Sequence, residues 1–289
     1  MAVDYKPIWY WVREREQIRQ RKESGRDQKL WTKDPILSTY RFCCVRREDD
    51  LVTTWIRKNI RERFKGHPHL WLMLCIARQV NWPETLDELI LRGAWPHNAD
   101  FDFTTKMAQV MNDRKGDGKK VYTGAYMISA PATKGADKQT YIAETVVGGL
   151  WRRRDMFAKH FANNQRLQRT HELIMKTNGW GQFMAYQAVV DMRFTSLLRG
   201  ASDVASWAAA GPGTLRGLNR VHGRATDAPL SQAQALREMR QIFGLVRDET
   251  GVHMDFSDVP NILCETDKYL RTKNGEGRPR ALYVQGRGY

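Results

Sequence analysis

Apolar residues recur at helical spacing along most of this chain. Between residues 49 and 65 they are Leu51, Val52, Trp55, Ile56, Ile60 and Phe64, with Arg57, Lys58, Arg61, Arg63 and Lys65 between them. The run HLWLMLCIARQV, residues 69–80, is apolar all round and predicts a buried helix. Upstream, WYWVREREQIRQRKES (9–24) predicts a charged helix that Trp9, Tyr10 and Trp11 dock on the body, and a turn follows at 32–35. Pro83 opens a further helix and Gly93 ends it, and residues 104–112 form another short one. Helical spacing resumes near Tyr141 and runs through WRRRDMFAKHFANNQRLQRTHELIMKT to residue 177. LSQAQALREMRQIFGLVRDETG (230–251) is amphipathic with Ser231 as N-cap, and a last helix covers 257–270. Residues 114–138 differ: glycine, lysine and proline crowd there around a β-prone island at 121–128, which marks a loop or β insertion. The pattern predicts a mainly α fold in one compact body, without fixed-period repeats.

Charge changes the picture. The 289 residues carry a formal net charge of +15, with a pI near 9.8. Much of the charge is arginine, whose planar donor fork suits phosphate, so nucleic acid is the leading partner class. No apolar run is long enough to span a membrane, and the start MAVDYKPIWYW lacks the features of a signal peptide. Cys43, Cys44, Cys75 and Cys264 make neither a CxxC pair nor a zinc spacing, so reduced thiols and no metal are expected. The nearest approach to a P-loop, Gly116-Asp117-Gly118-Lys119-Lys120, has its first glycine too close and no hydroxyl, which argues against a self-contained nucleotide kinase. GxGxxG opening a helix, HExxH and GxSxG are absent as well.

Two glycine turns stand out, Gly179-Trp180-Gly181 and Gly211-Pro212-Gly213, each opening onto a helical segment. A helix starting at such a turn presents unpaired N–H groups and the positive end of its dipole, which suits a phosphate. Residues 178–192 have the shape of a helix-hairpin-helix, or of an ordinary helix corner with a glycine cap. Asp203 follows the hairpin as an aspartate does in helix-hairpin-helix DNA glycosylases, or else it N-caps a helix VASWAAA; Asp191 is a second candidate, or pairs with Arg193 or a neighbouring helix.

The blocks YRFCCVRREDDLVTTWI (40–56), GWGQFMAYQAVVDMR (179–193), DVASWAAAGPGTLRGLNR (203–220) and LCETDKYLRTKNGEGRPR (263–280) carry a resemblance. Their order is similar to that in the phage alpha-glutamyl/putrescinyl thymine pyrophosphorylases, or amino acid:DNA transferases. It is also similar to the helical domain attached to phage 5-hydroxymethyluracil DNA kinases, and more distantly to helix-hairpin-helix DNA glycosylases. The resemblance implies a glycosylase-like helical DNA-modification domain over 40–289, with an N-terminal helical extension at 1–39 and an insertion at about 114–138.

It also implies a reaction. An amine or amino acid displaces phosphate or pyrophosphate from the 5-methylene of modified uracil in double-stranded DNA, in the host cytoplasm, with no cofactor. A 5-hydroxymethyluracil DNA kinase is a further expected partner. The base must leave the stack, the leaving group needs cations, and the amine must lose a proton. Tyr40, Phe42, Trp180, Phe183, Tyr186 and Trp207 are candidates for the base pocket, or else for core packing. Arg41, Arg46, Arg47, Arg216, Arg220, Arg278 and Arg280 are candidates for the phosphates, with the backbone at Gly179, Gly181, Gly211 and Gly213. Asp203, Asp191 and Glu265 are the candidate proton acceptors, and Cys264 is either a nucleophile toward C6 or a buried structural thiol. Two rivals remain open: a glycosylase acting on a modified pyrimidine, and a non-catalytic DNA-binding partner of the kinase.

Overall fold

Local chemistry sets most of the helix ends. A computed structural model of the chain describes residues 3–98, 103–123, 137–163, 166–279 and 281–283. The first helices are α1 (Lys6–Glu23), α2 (Pro35–Thr39), and α3 (Leu51–Ile56), which continues as a π-helical turn over Arg57–Glu62. Next come α4 (Leu70–Val80), α5 (Pro83–Leu91), α6 (Phe103–Gly116) and α7 (Lys138–Thr140), the last running into π-helix over Tyr141–Val147. Then follow α8 (Gly148–Trp151), α9 (Arg154–Ala162), α10 (Leu167–Met175), α11 (Gln182–Arg193), α12 (Pro212–Val221), α13 (Gln232–Thr250) and α14 (Val259–Lys273). Asp34 caps α2 by accepting from Ile36 N and Leu37 N, and Ser231 caps α13 by accepting from Gln234 N. Pro83 occupies the first turn of α5, and Gly93 lies just beyond its end at φ +68°. Among the described residues the fold is helical, and β structure is limited to an isolated antiparallel bridge between Tyr40 and Leu282.

Several expectations shift. Residues 104–112 belong to a longer helix, α6. The 141–177 run is divided into separate helices. The VASWAAA stretch is turn and coil rather than a helix, so Asp203 does not cap it. Residues 121–123 are not strand, and the rest of the 121–128 island lies outside the described residues.

The chain forms two compact units, Met1–Leu51 with Ala205–Gly288, and Val52–Val204. The described part of the expected 1–39 extension, residues 3–39, lies in the first, where α1 packs on α13 and α14. Trp9 and Trp11 are buried as expected, and the Tyr10 hydroxyl donates to Asp34. No local periodicity reports this long-range pairing of chain ends.

The second unit is built around α4, every residue of which is buried. Its Arg78 donates bidentately to Asp191 of α11 at 2.5 and 2.8 Å, and also to Thr53 Oγ1 and Asn81 Oδ1. With Arg78 at 2% exposure and Asp191 at 0%, losing either partner would strand a buried charge, at a cost of about 3–5 kcal/mol.

The first unit depends on the contact of α12 with α14. A Cβ at Gly213 would lie 2.3 Å from Cys264 Sγ, and one at Gly217 would lie 2.3 Å from the carbonyl oxygen of Leu263. Only hydrogen at these two positions, one helical turn apart, admits such closeness. Among the described residues no helix is long and apolar enough to cross a membrane.

Gly217→Ala therefore forces backbone apart and should cost about 1–3 kcal/mol or more. Gly244→Ala, in α13 with open space around the added methyl, should stabilise by about 0.5–1 kcal/mol. Urea unfolding of the two variants checks both signs; a neutral Gly217→Ala would remove the tight helix contact from the account.

Candidate functional site

In the second unit, α10 and α11 pack together as a helical hairpin through a turn at 176–181. Gly179 has φ +81°, and a side chain there would meet Val146 Cγ2 at 2.4 Å. Trp180 is buried, its Nε1 donating to Val146 O at 3.0 Å, so it is the wedge that fixes the turn rather than a wall for a base. Gly181 is the N-cap of α11 and is exposed, with open space where a methyl group would stand. Tyr186 is buried edge-on to His171. Asp191 is taken up by Arg78 of α4, the neighbouring-helix pairing that the sequence left open. Asp203 accepts from Leu167 N at 2.8 Å and Gln168 N at 3.0 Å, capping α10 from a distance. Both aspartates thus have structural work that a proton acceptor would have to give up.

The first unit gathers more of the expected residues. The segment after Tyr40 runs antiparallel to the chain end, with Arg41 N donating to Ala281 O and Tyr283 N to Thr39 O. It then crosses α14. Glu265, 6% exposed, accepts from Cys43 N at 2.9 Å and pairs with Lys268 Nζ at 2.6 Å. Lys268 also donates to Arg41 O at 3.2 Å and lies over the Phe42 ring. Burial works against its charge but is outweighed by Glu265, so the ammonium is held above the ordinary lysine range.

Further along, Asp258 accepts from Arg47 N and Asp255 N, both at 2.9 Å. Burial pushes its carboxyl up to about 7, against those two donated hydrogen bonds. Burial likewise raises Asp50, which accepts from Cys44 N. Cys264 sits against Gly213, and burial lifts its thiol to about 11. A thiol so weakly acidic supplies little thiolate at neutral pH, which favours the structural-thiol alternative.

The arginines separate into two groups. Arg216 and Arg220 both bind Asp267, at 2.9 and 2.7 Å, and Arg220 also binds Glu276. Arg46 binds Asp49 and Glu16. Those three serve carboxylates inside the fold, and Arg47 contributes its backbone N–H to Asp258. Arg41 and Arg278, by contrast, line a cleft of about 420 Å³ together with Lys268, Arg271, Glu276 and Pro279. Arg271 Nε is buried there with no acceptor among the described residues. Gly277, at φ +149°, lies against the Arg271 stem. Trp207 is half-buried, Gly211 is the N-cap of α12, and Arg280 lies outside the described residues. Lys268 and Arg271 were absent from the sequence candidates. Lys268 is three residues beyond Glu265 and Arg271 three beyond Lys268, a spacing that keeps them on neighbouring positions of one side of α14 and was there to be read. Among the described residues no group of His, Cys, Asp or Glu is placed to hold a metal.

A strand-poor helical domain with a cation-lined cleft is the class these features define. The chain belongs to the family of helical domains of 5-hmdU DNA kinases, whose family model matches residues 3–278. It is 26% identical over 227 residues to a 5-hmdU DNA kinase of Bacillus phage SP10, covering 72% of this chain and 34% of that protein. The chain thus matches about a third of the length of this relative. No solved structure is significantly similar to it.

Asp258 binds its proton more tightly in the folded chain than at its ordinary value of 3.8. Between about pH 4 and 7 the native state therefore holds the extra proton, and stability falls as pH rises through that window. Compared with Asp258→Asn, the wild type should lose on the order of 2 kcal/mol from pH 5 to 8. Denaturant melts of the pair across pH test this, and a constant difference would mean that Asp258 is ionised throughout.

Proposed function

We propose that the chain acts in phage thymine hypermodification, as a domain that binds DNA containing 5-hydroxymethyluracil and transfers an amine onto its phosphorylated 5-methylene. The observation that carries this is the convergence of Arg41, Lys268, Arg271 and Arg278 on one cleft, with Glu265 paired to the lysine that lines it. The family membership supports the DNA and the modified base.

In the proposed step, the amine nitrogen forms a bond to the 5-methylene carbon and the carbon–oxygen bond to the phosphate breaks. The departing phosphate keeps the electron pair, and the cleft cations, fixed before the reaction, hold its growing charge. The proton released by the attacking amine goes to Glu265. Asp203 and Asp191 stay outside this scheme because one caps α10 and the other is buried with Arg78. Cys264 is a packing residue against α12. The α10–α11 hairpin serves as the DNA-gripping helix-hairpin-helix, through the exposed backbone at Gly181.

A second reading has a specific observation in its favour. The match is to the helical part of a protein named as a kinase, so the chain would recognise the modified DNA for a kinase without doing chemistry itself.

Incubation of phosphorylated 5-hydroxymethyluracil duplex with the protein and a mixture of amines, followed by nucleoside mass spectrometry, separates these readings. A heavier nucleoside is expected, and Glu265→Gln should lower its yield by about 10²-fold or more while DNA binding persists. An abasic site would indicate a glycosylase. Unmodified nucleoside with every amine, despite tight binding, would leave the recognition role standing and the transferase refuted.

A further inference from the structure

The second unit holds a cation-lined cleft that none of the sequence motifs touches. It measures about 500 Å³ and lies between α9 and α10, with Arg153, Lys159, Arg169 and Lys176 among its lining residues. Its floor includes Met156 and the buried Leu173. Lys159, Arg169 and Lys176 are exposed. Arg153 is fixed from below, donating to Leu173 O at 3.0 Å and Thr177 Oγ1 at 2.5 Å. His160 is held below the ordinary histidine range by burial and then by Arg169, so at neutral pH it adds no charge. Its ring is hydrogen-bonded to the Thr170 hydroxyl. The nearby carboxylates are Glu172, 3.4 Å from Arg169, and Asp155 in the first turn of α9; neither lines the cleft.

We infer that this cleft is a second contact for the sugar-phosphate backbone of DNA, outside the site of chemistry. The inference rests on the proposed DNA-binding function. Three observations favour a polymer over a single small anion. The exposed cations are spread over two helices and a turn rather than converging on one point. An apolar floor between charged rims suits deoxyribose flanked by phosphates. Lys176 is also the first residue of the turn leading into α11, so the cleft and the hairpin turn share a residue. Each phosphate neutralised by such a cation releases condensed counterions and steepens the salt dependence of binding.

The test is fluorescence anisotropy with a 5-hydroxymethyluracil duplex between 50 and 200 mM salt, comparing the wild type with the combined Lys159→Ala, Arg169→Ala, Lys176→Ala variant. Arg153 is left intact because it is bonded within the fold. The expected result is a slope of log affinity against log salt that is shallower by about 3, with unchanged circular dichroism and melting temperature. An unaltered slope in the triple variant, while Arg41→Ala with Arg278→Ala weakens binding, overturns the inference and leaves the proposed function intact. Calorimetry with pyrophosphate supplies a second arm. Binding that is lost in the triple variant without any change in the DNA slope would make the cleft a small-anion site and also overturn the inference. A wild type that fails to bind the duplex even at 50 mM salt overturns both this inference and the proposed function.

Discussion

The close approach of α12 to α14 is the constraint on which the first unit depends. Two glycines one turn apart let the α12 backbone settle against Leu263 O and Cys264, and that contact fixes α14 in place. α14 then serves several neighbours from different faces. Tyr269 donates to Asp34, which Tyr10 also reaches, tying α1 and α2 to it. Asp267 faces α12 and takes Arg216 and Arg220. Glu265 and Lys268 face the segment after Tyr40, and Arg271 faces the cleft. A helix pair held a methyl group further apart would shift all of these faces together, because a helix moves as a rigid element.

The positive charge of the chain is a poor guide to which arginines meet a ligand. A buried carboxylate without a partner is far costlier than an exposed arginine without one. Several buried acids therefore claim guanidinium groups: Asp191 takes Arg78, Asp267 takes Arg216 and Arg220, and Glu238 takes Arg224. What remains for phosphate is the set that lines clefts, Arg41 and Arg278 with Lys268 and Arg271 in one unit, and the α9–α10 cations in the other. Glu276, which is exposed, lines the first cleft while binding Arg220.

The same competition separates what was legible in the sequence from what was not. Apolar patterning gave away α4 and α13, a glycine turn gave away α11, and capping chemistry gave away the starts of α5 and α13, because all of these are local properties. The two glycine turns do open helices, as their spacing predicts, yet Gly179 and Gly213 are packing glycines, pressed on Val146 and Cys264. A single sequence cannot distinguish a glycine that lets a phosphate approach from one that lets a helix approach, since both need the same missing side chain. Arg41, Arg278 and Glu265 were legible by the company they keep in two motif blocks. Lys268 and Arg271 were less visible, because the basic, glycine-rich loop beyond α14 is the louder local signal and a helix face emerges only once its partners are known. A pairing of Asp191 with a neighbouring helix was legible as one alternative, but not Arg78 as the partner, and the capping of α10 by Asp203 was invisible, because both partners lie far away in sequence.

The placement of Glu265 and Lys268 also bears on how a leaving group would be expelled in the proposed reaction. One route adds a thiolate to C6 of the pyrimidine, so that electrons from the ring drive out the group on the 5-methylene. Cys264 is badly suited to that route: its thiol is lifted to about 11 by burial, and its sulfur fills the space left open by Gly213. The alternative draws the leaving group out from its own end. Cations aimed at a departing phosphate lower the barrier without any covalent step, provided they are held still before the reaction. Lys268 meets that condition, with Glu265, the Arg41 carbonyl and the Phe42 ring around it. Glu265 keeps it charged, and the two lie three residues apart on α14. An acid and a cation on one turn of the same helix keep a fixed separation, so in the proposed step the proton acceptor and the group that holds the departing phosphate stay in register.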